Sequence, residues 1–264
     1  MSSWHSYPKV HNFRHPEVAS ILESFCIVEE KIDGSQFSFG VIDGVLKCSS
    51  RGQELEVGHP EKMFEPAVDT AIRLAPQLKP GWTYRGETLV KPKHNSLQYE
   101  RVPAGNVILF DINLGMEDYA SYDVLEYEAN SLGLEVVPKI AGLVPREFGV
   151  ECFLQILRET KPILGGKMIE GIVIKPGVPI FGRDDKALMA KFVSEEFKEI
   201  HKTEWKVSNP GNSNIVAAIG ESLRTEARWN KAISSLRDEG KLVNQPQDIG
   251  ILLKEIQKDT EEEA

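Results

Sequence analysis

The chain has 264 residues, of which 41% are hydrophobic and 27% charged, and its formal net charge is −9. That is the balance of an ordinary globular protein, and the acidic excess argues against coating nucleic acid through bulk charge while leaving room for a local basic cleft. No apolar run is long enough to span a membrane, and Met1-Ser2-Ser3-Trp4-His5 lacks the basic and apolar regions of a signal peptide. Cys26, Cys48 and Cys152 lie far apart with no paired metal-ligand spacing, which points to a reducing interior and a cytoplasmic or intracellular location.

Taken in order, residues 5–15 are polar and irregular, and residues 16–24 fit a short helix opening on Pro16. Phe25, Cys26, Ile27 and Val28 lead into Glu29-Glu30-Lys31-Ile32-Asp33-Gly34, and the alternating Phe37, Phe39 and Val41 lead out. These flanks predict two strands forming a hairpin with Lys31 at the turn. Asp43-Gly44 marks a further hairpin, whose returning strand runs through Lys47 towards Arg51. Residues 61–78 carry Met63, Phe64, Ala67, Ala71, Leu74 and Leu78 at helical spacing, and Pro80-Gly81 ends the run. Residues 82–89 read as extended, and the polar stretch 91–101 as a long mobile loop.

Residues 107–112 form a short apolar run, expected as a buried strand. Ser121 and Gly133 bracket a helix over 121–132. A further helix is expected over 148–158, and strands over 170–175 and 188–193. After Ser194 the texture becomes helical, with segments over 195–206 and 215–239 and a last stripe of Ile249, Leu252, Leu253 and Ile256. A mixed domain over 1–206 is thus expected to precede a small helical domain over 207–264.

The chemistry starts from Lys31. A lysine at a strand end becomes a nucleophile if burial or nearby positive charge lowers its pKa; by itself Lys-x-Asp-Gly fits a solvated loop lysine beside a turn-forming Asp-Gly better. Arg51, in Ser50-Arg51-Gly52, offers a planar fork suited to phosphate, or is a surface arginine. Glu87, beside a Gly86 that lets a ligand approach the backbone, can accept from ribose hydroxyls or make an edge-strand salt bridge. Phe110 can stack on a purine or belong to the core. Glu170 is a metal-ligand candidate and Lys175, at the far end of the same strand, a phosphate partner. Lys191 is an ionisable group within an apolar strand, costly without a partner.

Together these stretches resemble the covalent nucleotidyltransferase superfamily of ATP-dependent DNA ligases, RNA ligases and mRNA capping enzymes. Lys31-Ile-Asp-Gly34 is similar to its nucleophile motif, and Ser50-Arg51-Gly52, Gly86-Glu87, Phe110-Asp111-Ile112, Glu170-Gly-Ile-Val-Ile-Lys175 and Leu188-Met-Ala-Lys191 follow in family order. Within the superfamily the chain most resembles the phage and viral RNA-sealing ligases, notably from Gly86 through Lys91-Pro-Lys-His-Asn-Ser to Ile112. One departure stands out: the last motif usually has two lysines separated by one residue, and the earlier slot here is Met189. Either Lys186 supplies that charge or one phosphate contact is missing.

The resemblance implies an α+β fold: a nucleotidyltransferase core of antiparallel sheets with flanking helices, followed here by a small all-helical C-terminal domain. It implies an ATP-dependent RNA ligase with Mg2+ or Mn2+, joining RNA 5′-phosphate and 3′-hydroxyl ends, a nicked duplex among them. The intermediates would be lysyl-AMP and 5′-adenylylated RNA. Lys31, Glu170 and Lys191 would be catalytic, with Glu170 on the metal. Glu30, Lys31, Asp33, Arg51, Glu87, Phe110, Lys175, Lys186 and Lys191 would line the nucleotide. No obligate protein partner and no membrane is implied. The helical tail lacks the short strands of an oligonucleotide-binding barrel, which favours RNA ligase over a DNA nick ligase with a divergent C-terminus. A non-catalytic end-binding protein on a ligase scaffold is the alternative from another class.

Overall fold

The computed structural model describes residues 2–143, 149–193, 226–242, 245 and 248–263. The chain divides into two units, Met1–Ser194 and Glu195–Ala264.

The first unit is built on two sheets. One has the order β1 (Val10–Asn12), β12 (Met189–Val193), β11 (Gly171–Pro176), β2 (Cys26–Lys31) and β10 (Lys139–Leu143), antiparallel except for the β1–β12 pair. The other runs β5 (Glu54–Leu55), β4 (Val45–Ser49), β3 (Ser35–Ile42), β6 (Thr83–Thr88), β7 (Val107–Gly115) and β8 (Asp118–Tyr119), with β9 (Glu135–Val136) parallel to β7.

Each sheet is two-faced, because side chains alternate along a strand. On the five-stranded sheet, Val28, Ile172, Ile174 and Ala190 pack with Phe153 and Leu157 of helix α3 (Val150–Glu159). The alternate positions Glu29, Lys31, Val173 and Lys191 share the other face, since Val173 pairs with both Glu29 and Lys191. On the seven-stranded sheet, Phe37, Phe39, Tyr84, Leu109 and Ile112 pack with helices α1 (Glu65–Leu74) and α2 (Tyr122–Leu132). Its opposite face carries Ser38, Arg85 and Asn113, all buried, with Arg85 donating to both of the others. Burying each aromatic ring contributes about 2–3 kcal/mol, so the helix-covered faces hold the unit together and the polar faces are left for chemistry.

Antiparallel sheets with helices on their outer faces are the expected architecture, and several local readings hold. Asp43 and Gly44 have φ of 52° and 78°, the paired positive values of a tight hairpin. Ser121 accepts the Val124 N–H, and Gly133 closes α2 at φ 68°. Other readings are corrected. β2 and β3 do not pair: they belong to different sheets, so Lys31 lies at a crossover and not at a hairpin turn. α1 is shorter than 61–78, because Pro66 fits only its first turn and Pro76 falls in a 3-10 turn beyond it. Residues 16–24 form two separate 3-10 turns.

In the second unit, α4 (Glu226–Asp238) packs against α5 (Asp248–Glu263), with Ala232, Leu236 and Ile256 buried. Of the expected apolar stripe, Ile249 and Leu253 are exposed, since two helices in contact cover less than a full stripe. The helix expected over 195–206, much of that over 215–239, and the 206/207 boundary lie outside the described residues. Among the described residues, no helix is long and apolar enough to cross a membrane.

Candidate active site

The Lys31 amine lies where the polar faces of the two sheets meet. β2 delivers it by pairing with β11, which sets Lys31 opposite Gly171 and next to Glu170. Lys31 Nζ donates to Glu170 Oε2 at 2.7 Å. Burial alone lowers a lysine's pKa, but here the Glu170, Glu87 and Asp33 carboxylates outweigh it and the amine is raised above its ordinary value. Burial also raises Glu170, against the pull of Lys31 and Lys191. Sequence order therefore brings Lys31, Asp33, Glu87, Glu170 and Lys191 into one electrostatic neighbourhood.

The crossover after Lys31 is fixed from outside. Asp33 Oδ2 accepts the Ser96 and Leu97 N–H groups at 2.7 and 2.6 Å, while the Asp33 N–H donates to the Tyr99 hydroxyl at 2.9 Å. Asn95 donates to the Gly34 carbonyl, and Ser35 meets His94. Residues 91–101, expected as a mobile loop, are thus pinned along the crossover, with Leu97 and Tyr99 buried. Gly34 cannot be replaced without collision: a Cβ there would lie 2.9 Å from the Thr88 carbonyl and 3.0 Å from Glu87 Cβ. That contact seats Glu87 beside the lysine motif.

Lys175 forms the second centre. Its Nζ contacts Glu29 Oε2 at 2.7 Å, Asp111 Oδ2 at 3.0 Å and the Phe110 carbonyl at 2.7 Å, and it sits 5.8 Å from the Phe110 ring centroid. The cation therefore ties β11 to β7 and spans the two sheets. Burial tends to lower its pKa, but Asp111 and Glu29 raise it on balance. Phe110 is an extra residue in β7. Arg85 pairs with Asp111 and Gly86 with Leu109, so a bulge turns Phe110 out of the ladder. Its half-buried ring meets Tyr7 edge-on, with centroids 5.0 Å apart. Gly86 serves this bulge: a Cβ there would lie 2.6 Å from the Ile108 carbonyl, so the backbone it admits is that of β7.

Several residues here escape sequence reasoning. The Tyr7 hydroxyl donates to Asp111 and also meets Met189 Sδ at 2.9 Å. The slot lacking a lysine is thus filled by a thioether against a phenol. Arg85, 1% exposed, binds Asn113, Ser38 and the Ser3 and His5 carbonyls, clamping the N-terminal segment that carries Tyr7. Glu29 was within reach, since period-two alternation places it on the face of Lys31. Tyr7 was not, because it joins the site from more than a hundred residues away.

Of the remaining expected site residues, Glu30 turns away from Lys31, and Arg51 and Lys186 flank strands β4 and β12. Glu30 points to the opposite face of β2, where its Oε2 accepts the Ile163 N–H at 3.0 Å. Arg51 is exposed just past β4. Lys186 lies in the turn before β12, its N–H donating to Asp184.

The donor set around Lys31 is all oxygen: Glu170, Glu87 and Asp33. Hard carboxylate oxygens are of the kind that suit Mg2+ or Mn2+, although among the described residues these three acids do not converge into one three-ligand set.

Comparison with known proteins agrees with this layout. Residues 24–193 match the family model for RNA ligase. No curated protein matches the chain. Among solved structures, a Naegleria gruberi RNA ligase with pyrophosphate is similar over 77% of this chain and 60% of its own, at 18% identity and TM-score 0.58. A mutant of that ligase with ATP and Mn is similar over 75% and 58%, at 18% identity and TM-score 0.58. A further mutant with AMP and Mn covers 76% and 60%, at 17% identity and TM-score 0.58. The chain thus spans about 60% of the length of these ligases. Because the matched region runs from the strand before Lys31 to the end of β12 and includes both centres, the chain belongs to the RNA ligase family.

Proposed function

We propose that the protein is an ATP-dependent RNA ligase that joins 5′-phosphate and 3′-hydroxyl ends through lysyl-AMP and 5′-adenylylated RNA. The observation carrying this reading is the Lys31 amine, partly buried at a strand end and hydrogen-bonded to Glu170 at 2.7 Å. In the first step Lys31 Nζ attacks the α-phosphorus of ATP, forming a P–N bond as the bond to pyrophosphate breaks. The amine must first lose its proton, and the carboxylates around it hold that proton in the free enzyme. As ATP enters and the Glu170 contact loosens, the ammonium gives its proton to solvent, and the lone pair so freed makes the attack.

Glu170, with Glu87 and Asp33 nearby, would hold the divalent cation, which supplies charge stabilisation at the phosphates. Glu87 faces the ribose, and Phe110 presents its ring to the adenine. Lys175 and Lys191 sit on the face where phosphate charge develops. The AMP then passes to an RNA 5′-phosphate, and the 3′-hydroxyl displaces it to close the strand. The reaction resides in the first unit, and the helical second unit contributes to holding RNA.

The test is ligation of matched RNA and DNA nicks side by side with ATP and Mn2+ or Mg2+. Sealing of the RNA nick with AMP release is expected. Sealing of DNA alone would favour a DNA nick ligase, and no sealing of either would contradict a ligase reading.

A further inference from the structure

His11, His15 and Glu17 converge at the outer edge of the first unit, apart from the Lys31 and Lys175 centres. Their candidate ligand atoms all lie within 4.8 Å of one another. His11 Nε2 is 3.1 Å from Glu17 Oε2, His15 Nδ1 is 4.0 Å from the same oxygen, and the two imidazole centroids are 4.5 Å apart. We propose that this trio is a binding site for a divalent transition-metal ion of the zinc class, separate from the cation used in nucleotidyl transfer.

The spacing has the right size. Zinc takes imidazole nitrogen and carboxylate oxygen at about 2.0–2.2 Å, so tetrahedral neighbours on one ion lie roughly 3.3–3.6 Å apart. The observed separations bracket that figure, and small side-chain rotations close the remainder. The donors also match: two imidazoles and one carboxylate suit zinc and its neighbours, whereas Mg2+ and Ca2+ prefer all-oxygen sets. Three protein ligands leave a fourth position for water.

The Glu17 carboxylate gives the trio the negative charge that a bound cation needs. His15 Nδ1 accepts the Glu17 N–H at 3.3 Å. The Glu17 carboxylate and the two imidazole rings face the same small volume. The long bond to Nδ1 is readily exchanged for a metal bond.

The fold explains how the trio assembles. His11 is in β1, His15 is the N-cap of the first 3-10 turn, and Glu17 lies inside that turn. β1 is an edge strand of only three residues whose neighbour is β12, with His11 opposite Ala190 and Asn12 opposite Lys191. An ion here would staple the short edge strand to the turn that follows and so brace the strand bearing Lys191.

Zinc chloride is titrated into the full-length protein by calorimetry in excess Mg2+, which occupies oxygen-only sites. One equivalent should bind, and Co2+ in its place should give visible d–d absorption. His15→Gln and Glu17→Gln, at exposed or half-exposed positions, should each weaken binding by at least about 100-fold. Glu170→Gln should leave the stoichiometry unchanged, which separates this site from the ligase centre. Failure of the wild type to bind zinc in Mg2+, or retention of the full equivalent with undiminished affinity in both His15→Gln and Glu17→Gln, would overturn the proposal.

Discussion

Glu30 and Lys31 are neighbours on one strand with opposite fates. Burial pushes the Glu30 carboxyl up to about 7 from an ordinary 4.5, with the Ile163 N–H pulling the other way. The folded state therefore binds this proton more tightly than the unfolded chain. That stabilisation is complete below pH 4.5 and is lost as pH rises through 7. Relative to Glu30→Gln, the wild type should lose about 3 kcal/mol of stability over that interval; urea denaturation at several pH values measures it, and parallel curves for the two proteins would contradict it. Lys31 titrates in the other direction of effect. Its amine is held protonated by Glu170, Glu87 and Asp33, so the first-step rate should climb with pH beyond neutrality. Glu170→Gln removes the closest of these charges. Its residual rate, though lower, should therefore show a pH profile displaced towards acid, read by single-turnover labelling from ATP.

At the scale of the element, the bulge in β7 is the device that turns Phe110 out of the ladder and sets Asp111 on the polar face with Arg85. Without it Phe110 would fall in the ladder and Asp111 would point into the helix-covered core. Gly86 permits the bulge, because its Cβ would sit 2.6 Å from the Ile108 carbonyl. Gly86→Ala should cost about 1–3 kcal/mol through overpacking and depress adenylylation along with stability, whereas Phe110→Ala should depress adenylylation with a smaller loss of stability. An unchanged denaturation midpoint for Gly86→Ala would contradict the close approach.

These elements also show what the sequence could convey. Lys31, Glu87 and Glu170 were legible because each ends or precedes a strand with a clear apolar pattern, and because their order along the chain is itself informative. The pairing of β2 with β11 was not, since strand partners across more than a hundred residues leave no periodic trace. The bulge escaped for a related reason: one extra residue in a short apolar run looks the same whether it is paired or extruded. Asp33 was legible as a member of the motif but not as the acceptor that pins residues 91–101.

At the largest scale, the polar faces of the two sheets in the first unit are bridged by a largely enclosed cation. Lys175 links Glu29 of one sheet to Asp111 and the Phe110 carbonyl of the other. Lys175→Met would leave two buried acids facing each other without a counter-charge, and removing one partner of such a set costs about 3–5 kcal/mol. Thermal unfolding should show a large drop, and pairing the change with Asp111→Asn should recover part of it. The helical second unit contains none of the residues placed at either centre. Protein ending near residue 206 should therefore still label itself from ATP while sealing RNA poorly.

The most direct test of the central claim is the covalent state of Lys31. Incubation with ATP labelled at the α-phosphate and Mn2+ should yield an acid-labile protein adduct, with peptide mapping locating one AMP on Lys31. Lys31→Ala should abolish it, and Lys31→Arg should too, because a guanidinium stays protonated and cannot attack. Labelling that persists in Lys31→Ala, or AMP mapped to another residue, would contradict the account.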